Sequence, residues 1–395
     1  MLHVMIAGAG LGGMALAQGL RRAGIEVTVF ERDATLTARR QGYRLHIDAL
    51  AHAALRRLLP TENFEFLDAT AGLPKPRFTV LDRDSLDAVF VQDSTEPIDL
   101  AVDRLLLRQT LLAGIEDRVV FGKQLCDYEI GSDGRITARF ADGDTVTGDV
   151  LIGADGVNSA VRQQYLPNAR VVDTGLRALY GVVPLTAEVR NLLDDNMLGI
   201  FTIVPGPERT HLGVAPVEFR ESPETAAARL TPTLRPLSTA DYLTCSFGAR
   251  AEWFGLPDTR LLRELDGPAL HSIVVAAVAN WHPRLRAVVD RIDRSAMFAL
   301  QIRSAVPIAP WPTTPITLLG DAIHATSPAA GAGACVALRD AANLRDALVE
   351  AATNGNLIAA LRNYEHQMID YGFAAVRLGA TNGTRFLGQD PLPID

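Results

Sequence analysis

The sequence is poor in lysine: Lys75 and Lys123 are the only two among 38 basic residues, and the rest are arginine. That leaves little room for Schiff-base chemistry on a lysine amine. Basic charge is not in excess either. With 46 acidic residues the formal net charge is −8, and the basic stripe of a nucleic-acid binder is absent. Cysteine is scarce. Cys126, Cys245 and Cys335 are scattered, without CxxC or Cys/His spacing, which argues against a zinc ribbon or a disulfide scaffold. Their odd number, with no secretory pattern, leads us to expect a cytoplasmic protein. No stretch reaches the roughly 18 uninterrupted apolar residues that span a bilayer. The apolar segment Val4–Leu20 comes closest, but it contains five glycines and runs into a strand pattern. We therefore expect no membrane and no nucleic acid among the partners.

What is present is an ordinary globular composition, 48% hydrophobic and 21% charged over 395 residues, enough for more than one domain. The opening reads as strand, turn, helix, strand: Leu2–Ala7 is a short apolar run, Leu11–Ala23 has helical spacing, and Ile25–Phe30 is a second strand. This is a βαβ unit. Residues 77–92 read as a hairpin, 130–146 as a meander, and 149–152 as another buried strand. Residues 176–250 are strand-rich. Helices are expected over 333–350 and 357–378, and the tail from Gly388 to Asp395 has no packing pattern.

Three glycine and aspartate motifs follow buried strands. The first is Gly8-Ala-Gly10-Leu11-Gly-Gly13. Its glycines allow a tight turn and close approach of a pyrophosphate, and the helix N-terminus behind them favours negative charge. Glu31, ending the second strand, is placed to accept ribose hydroxyls. The second is Asp155-Gly156, where the strand at 149–152 runs into a loop that opens a helix. The third is Gly320-Asp321, followed by the glycine-rich run Pro328-Ala-Ala-Gly331-Ala-Gly333-Ala334 that enters a long helix.

With Arg104-x-x-Leu107-x-x-x-Leu111 between the first and second motifs, this ordered set resembles the class A flavin-dependent monooxygenases. That group includes para-hydroxybenzoate hydroxylase and the tetracycline-inactivating monooxygenase, and the similarity runs from Leu2 to about Leu348. The resemblance implies an α/β fold: a Rossmann-like FAD-binding domain of the glutathione-reductase type, an inserted β-rich substrate domain and a C-terminal helix. The expected boundaries are 1–75, 100–175 and 285–350 for the FAD domain, 76–99 and 176–284 for the substrate domain, and 351–395 for the final helix and tail.

By the same resemblance, Gly8, Gly10, Leu11, Gly13 and Glu31 would hold the ADP half of FAD. Arg32, Arg44 and Arg104 would contact ribose or phosphate. Asp155 belongs to a motif implicated in binding both FAD and NAD(P)H. Gly320 and Asp321 would meet the ribityl chain, and Pro328, Gly331, Gly333 and Ala334 the flavin edge. Ala325 and Cys335 depart from the residues usual in the family, and His324 is expected to be structural. No protein nucleophile and no metal is implied. NAD(P)H and molecular oxygen would be co-substrates, and a flavin C4a-hydroperoxide would oxygenate a small aromatic, phenolic or polyketide-like molecule. Tyr180, Phe201, His211 and Arg303 are the candidate substrate walls. Epoxidation or reduction of an isoprenoid on the same scaffold is the alternative, and either a monomer or a homodimer is compatible with the sequence.

Overall fold

The computed structural model describes residues 2–38, 43–238 and 240–393. Residues 39–42, within the first expected segment of the FAD domain, lie outside the described residues, as do Met1, Thr239 and the end of the expected tail, Ile394 and Asp395.

Five short apolar strands form an all-parallel sheet in the order Ile316–Leu318, Val150–Gly153, His3–Ala7, Glu26–Glu31, Val119–Phe121. Val4, Met5, Ile6, Val150, Leu151 and Ile152 are fully buried, as expected of strands covered on both faces. The Leu11–Arg22 and Gly333–Asn354 helices pack together over this sheet. Register fixes the functional geography. Ala7 stands beside both Phe30 and Gly153, and Gly153 beside Leu318. The residues that end or follow these strands, Glu31, Gly8, Asp155 and Gly320, therefore emerge along one edge, at the carboxyl ends where open α/β sheets bind ligands. An antiparallel three-stranded meander over Leu125–Gly148 covers one flank.

A second, seven-stranded sheet runs in the order Phe298–Ala305, Val171–Pro184, Tyr242–Arg250, His211–Val217, Gly199–Pro205, Lys75–Leu81, Ala88–Asp93. All its pairings are antiparallel except that of Gly199–Pro205 with Lys75–Leu81. The Gly267–Ala277 and Pro283–Asp290 helices bury its outer face. The chain around residue 285, the boundary expected between the two domains, packs on this sheet. Leu285, Val288, Val289, Ile292 and Met297 belong to the core of the second sheet, and Phe298–Ala305 is its edge strand. The amphipathic 283–290 helix has its apolar stripe on this sheet, so the chain crosses back only near Ala305, whose N–H bonds Ala325.

A two-stranded ribbon, Arg44–Asp48 against Asp99–Asp103, lies between the two sheets. The Leu357–Asn382 helix ends in a π-helical turn over Gly383–Leu387, which returns toward the second sheet. Among the described residues, no helix is long and apolar enough to cross a membrane.

Candidate active site

The three motifs build one wall of a continuous cleft with three chambers, of about 430, 390 and 620 Å³. The first holds the βαβ turn. Gly8 has φ +107°, and a Cβ there would lie 2.3 Å from the Ala154 carbonyl oxygen. Gly13 lines no chamber; a Cβ on it would lie 2.1 Å from the Gly8 oxygen. Gly10 differs, because the nearest atom to a Cβ there is 3.9 Å away and the residue faces open space. Glu31 accepts from the N–H groups of Ala9 at 2.8 Å and Asp33 at 2.9 Å, so its carboxylate locks the turn while still lining the chamber. Arg32 is exposed at the same rim.

Asp155 also lines the first chamber. Its Oδ2 accepts from the N–H of Ala160 at 2.7 Å, at the start of a short helix, and its Oδ1 is buried with no partner. Burial holds its carboxyl above the usual range, against the hydrogen bonds that lower it. Arg162 ties this loop to the next, donating to the carbonyls of Val157 and Ala322 at 3.0 and 2.8 Å.

Asp321 marks the join of the first and second chambers, with Gly10, Tyr43 and Arg104. Protein surrounds it, yet its side chain is open because it faces the cavity. Burial raises its carboxyl, opposed by the charges of His324, Arg104 and Arg303. Leu11, Gly320, Pro328, Gly331, Gly333 and Ala334 line the second chamber, and the 22-residue Gly333–Asn354 helix begins at its wall. Gly320, at φ +60°, donates its N–H to Asp340 at 2.7 Å.

Arg44, expected on ribose or phosphate, lies farther along. It lines the second and third chambers, with Tyr180, Phe201, His46, Pro328 and Gly331. Its Nε and Nη2 are buried without partners, and burial lowers its pKa to about 10 against the charges of Tyr242 and Asp99. It stays a cation at neutral pH. The third chamber is the most aromatic, bounded by Phe78, Phe90, Phe201 and Phe386, with His211 in its wall. Burial holds the His211 imidazole down to about 4, so it is neutral. Arg303 does not line the cleft: its Nη1 donates to Asn158 at 2.6 Å. Tyr180 stacks on Phe298, centroids 5.6 Å apart, and Tyr43 tilts against both rings.

The sequence reading missed Tyr43, His46, Asp99 and Arg108. Arg108 is buried and bonds the carbonyls of Leu36 and Ala9; its place one turn after Arg104 was the available signal. The cleft fits FAD on its own features. An open glycine cradle serves a pyrophosphate, a carboxylate faces the middle of the cleft, and unpaired buried donors and acceptors line its walls. Among the described residues no cluster of His, Cys, Asp or Glu is placed to hold a metal ion.

Comparison with known proteins agrees. Residues 285–378 match the FAD-binding domain model and residues 6–58 an NAD(P)-binding Rossmann-like domain model. A dual O-methyltransferase/FAD-dependent monooxygenase of Cercospora beticola is 33% identical over 98% of this chain, which covers 47% of that protein. The chain thus spans less than half the length of the first curated relatives. An FAD-dependent urate hydroxylase of Mycolicibacterium vanbaalenii is 26% identical over 87% of this chain and 79% of its own. A solved structure from Photorhabdus luminescens, assigned as an FAD-containing monooxygenase, is 30% identical, covers 98% of this chain and 99% of its own, and superposes with a TM-score of 0.82. Motifs, cleft and a similarity that extends over 98% of this chain together establish that it belongs to the class A FAD-dependent monooxygenases.

Proposed function

We propose that the protein hydroxylates an aromatic, phenolic molecule of more than one ring, with NAD(P)H as electron donor and dioxygen as co-substrate. The observation that carries this reading is the third chamber. Its volume, about 620 Å³, falls in the range of drug-sized ligands. Its walls combine aromatic rings with charged and polar groups, and it opens onto the second chamber beside Pro328 and Gly331. The urate hydroxylase relative acts on urate, a flat two-ring molecule.

Bound FAD would supply the redox and oxygen-activating chemistry; the residues of this chain position and shield it. In this reading Gly8 and Gly13 shape the turn and Gly10 admits the pyrophosphate, with Glu31 and Arg32 at the ribose. Asp155 and Arg104 flank the phosphates, and Asp321 accepts from the ribityl hydroxyls. Pro328, Gly331, Gly333 and Ala334 border the flavin ring, with the helix N-terminus favouring negative charge there. Tyr180 and Phe201 separate ring and substrate and exclude water. The parallel-sheet unit is the cofactor domain and the seven-stranded unit the substrate domain. An isoprenoid substrate fits less well, because Arg44, His46, Asp93, Glu96, Asp99 and Arg177 would lose hydration against a hydrocarbon chain.

The test is a visible spectrum of the purified protein, followed by NADPH and NADH oxidation with mono- and bicyclic phenols, with and without catalase. A yellow protein whose oxidation is accelerated by a bicyclic phenol, with oxygenated product and little peroxide, is the expected result. A yellow protein indifferent to every phenol but active on isoprenoids would reverse the choice. A colourless protein that FAD cannot reconstitute would overturn the cofactor assignment.

A further inference from the structure

Arg44 and His46 line both the second and the third chamber, and Asp99 the third; the proposed cofactor cradle assigns this polar group no contact. Arg44 and His46 are two residues apart on one strand of the ribbon, so both point to the same face. Asp99 pairs with Asp48 on the opposing strand, and His46 with Ala101, which makes Asp99 the diagonal neighbour of His46 on that face. The His46 Nε2 lies 2.7 Å from the Asp99 Oδ1.

A carboxylate beside Nε2 fixes the tautomer. Nε2 carries the proton and donates it to Asp99, and Nδ1 keeps its lone pair. Among the described residues none bonds Nδ1, and the side chain is 20% exposed, in a residue that lines both chambers. Asp99 is 8% exposed, and its Oδ2 is buried without a partner. Beside this pair, Arg44 has two buried donor nitrogens without partners. A fold gains nothing by leaving a buried cation, a buried carboxylate oxygen and an imidazole lone pair incomplete at one spot. A ligand bearing an O–H completes two of the three: its proton meets the imidazole lone pair, and the anion left behind meets the guanidinium.

We propose that His46, oriented by Asp99, is the general base that takes the hydroxyl proton of the substrate, with Arg44 facing the resulting oxyanion. The step balances. The O–H bond breaks, its electron pair stays on oxygen, and the proton passes to Nδ1 to give an imidazolium paired with the Asp99 carboxylate. An aryl oxyanion pushes electron density into its ring, which favours attack by an electrophilic oxygen donor at the ortho and para carbons. This inference rests on the phenolic reading above, and it makes His46 and Asp99 a catalytic residue and its positioning partner.

The experiment uses the FAD-loaded protein and 7-hydroxycoumarin, a bicyclic phenol whose anion absorbs at longer wavelength than its neutral form. Difference spectra report which form is bound. Calorimetry in two buffers with different heats of ionisation counts the protons released. Wild type is expected to bind the anion with almost no net proton released, because the proton stays on His46. His46→Gln, with its flavin spectrum and melting temperature unchanged, should bind the probe neutral, with the anion band down about tenfold or more. Asp99→Asn, which keeps the imidazole but loses its orienting partner, should give an intermediate band and decides the matter if His46→Gln fails to fold.

Neutral binding by wild type would overturn the proposal. So would an anion band of equal strength in wild type and His46→Gln, with one proton released to buffer, since Arg44 alone would then ionise the phenol. In both cases the phenolic reading survives. A wild-type holoenzyme that binds no 7-hydroxycoumarin at all would count against the phenolic reading itself and remove this inference with it.

Discussion

The carboxylate of Asp340 receives the N–H of Gly320 at 2.7 Å and the ring of His324 at 2.6 Å on one oxygen, and the hydroxyl of Tyr371 at 2.8 Å on the other. One buried side chain thus ties the Gly320-Asp321 loop to the two long C-terminal helices. His324 and Asp340 are 2% and 0% exposed. Burial lowers the His324 pKa, but the charge and hydrogen bond of Asp340, with the nearby charge of Asp321, outweigh it and the net shift is upward. The stability this contributes is therefore complete below the ordinary histidine range and is lost as pH rises through the raised value. Melting temperature should fall as pH is raised above neutrality in wild type. His324→Asn should be less stable and show a flatter profile over that range. Asp340→Asn should lose about 3–5 kcal/mol, the usual cost of breaking a buried pair. Melts followed by circular dichroism across pH check this, and parallel wild-type and His324→Asn profiles would contradict it.

The two ends of the βαβ turn should respond differently to a methyl group. At Gly13 a Cβ lies 2.1 Å from a backbone oxygen, and at Gly10 the nearest atom is 3.9 Å away. Gly13→Ala forces the helix off the turn and should yield misfolded or strongly destabilised protein. Gly10→Ala leaves the packing intact but puts the methyl where the pyrophosphate is proposed to lie. It should fold with near wild-type melting temperature as the apoprotein and purify with little yellow colour. An FAD content equal to wild type in Gly10→Ala would disprove the assigned cradle.

Asp321 is proposed to serve the ligand at the expense of the apoprotein. Its folded pKa is raised, chiefly by burial, so its ionisation burdens the fold. Stability associated with this group is greater below the unfolded aspartate range and falls as pH rises through the folded value. At neutral pH Asp321→Asn should therefore raise the apoprotein melting temperature by ~2–4 °C. The same change weakens a charge-assisted hydrogen bond to the ribityl chain, so FAD affinity should drop roughly 10- to 100-fold. Flavin fluorescence titration and apoprotein melts measure the two effects separately, and loss of both stability and affinity would point to a structural role instead.

The first two chambers of the cleft are legible in the sequence because every motif that lines them is local. A glycine at a positive φ and an acidic residue ending a buried strand leave their mark within a few positions, as at Gly8, Glu31 and Gly320. The third chamber leaves no such mark. His46 and Asp99 are 53 residues apart in sequence and meet only through the register of a two-stranded ribbon, which no periodicity specifies. Arg303 illustrates the converse: an arginine on an alternating strand can point toward either face, and its guanidinium bonds Asn158 instead of lining the chamber. The 283–290 helix is a related case: its sequence advertises an apolar stripe but not the sheet that receives it.

The far wall of the third chamber is the C-terminal turn, held by a clamp at Arg250. Phe386 and Leu387 line the chamber. Just beyond them, Arg250 donates to the carbonyl of Gly388 at 3.1 Å and to Asp390 at 2.6 Å. The Asp390 N–H donates to the carbonyl of Thr174 at 3.0 Å. Arg250→Ala removes the two side-chain links and leaves the backbone link. Half of the Asp390 side chain is exposed, 53%, so the loss is discounted to about 1 kcal/mol. Opening of the turn should then be about fivefold more frequent. Arg385 is exposed on this turn, so trypsin cleavage after it reports the opening directly. Cleavage should be faster in Arg250→Ala, while flavin absorbance stays unchanged, because the turn lines only the third chamber. Addition of a ligand that fills that chamber should slow cleavage in both proteins by holding Phe386 and Leu387 in place. Equal cleavage rates would mean that the Asp390 backbone bond and the apolar packing of Leu387 hold the wall without Arg250.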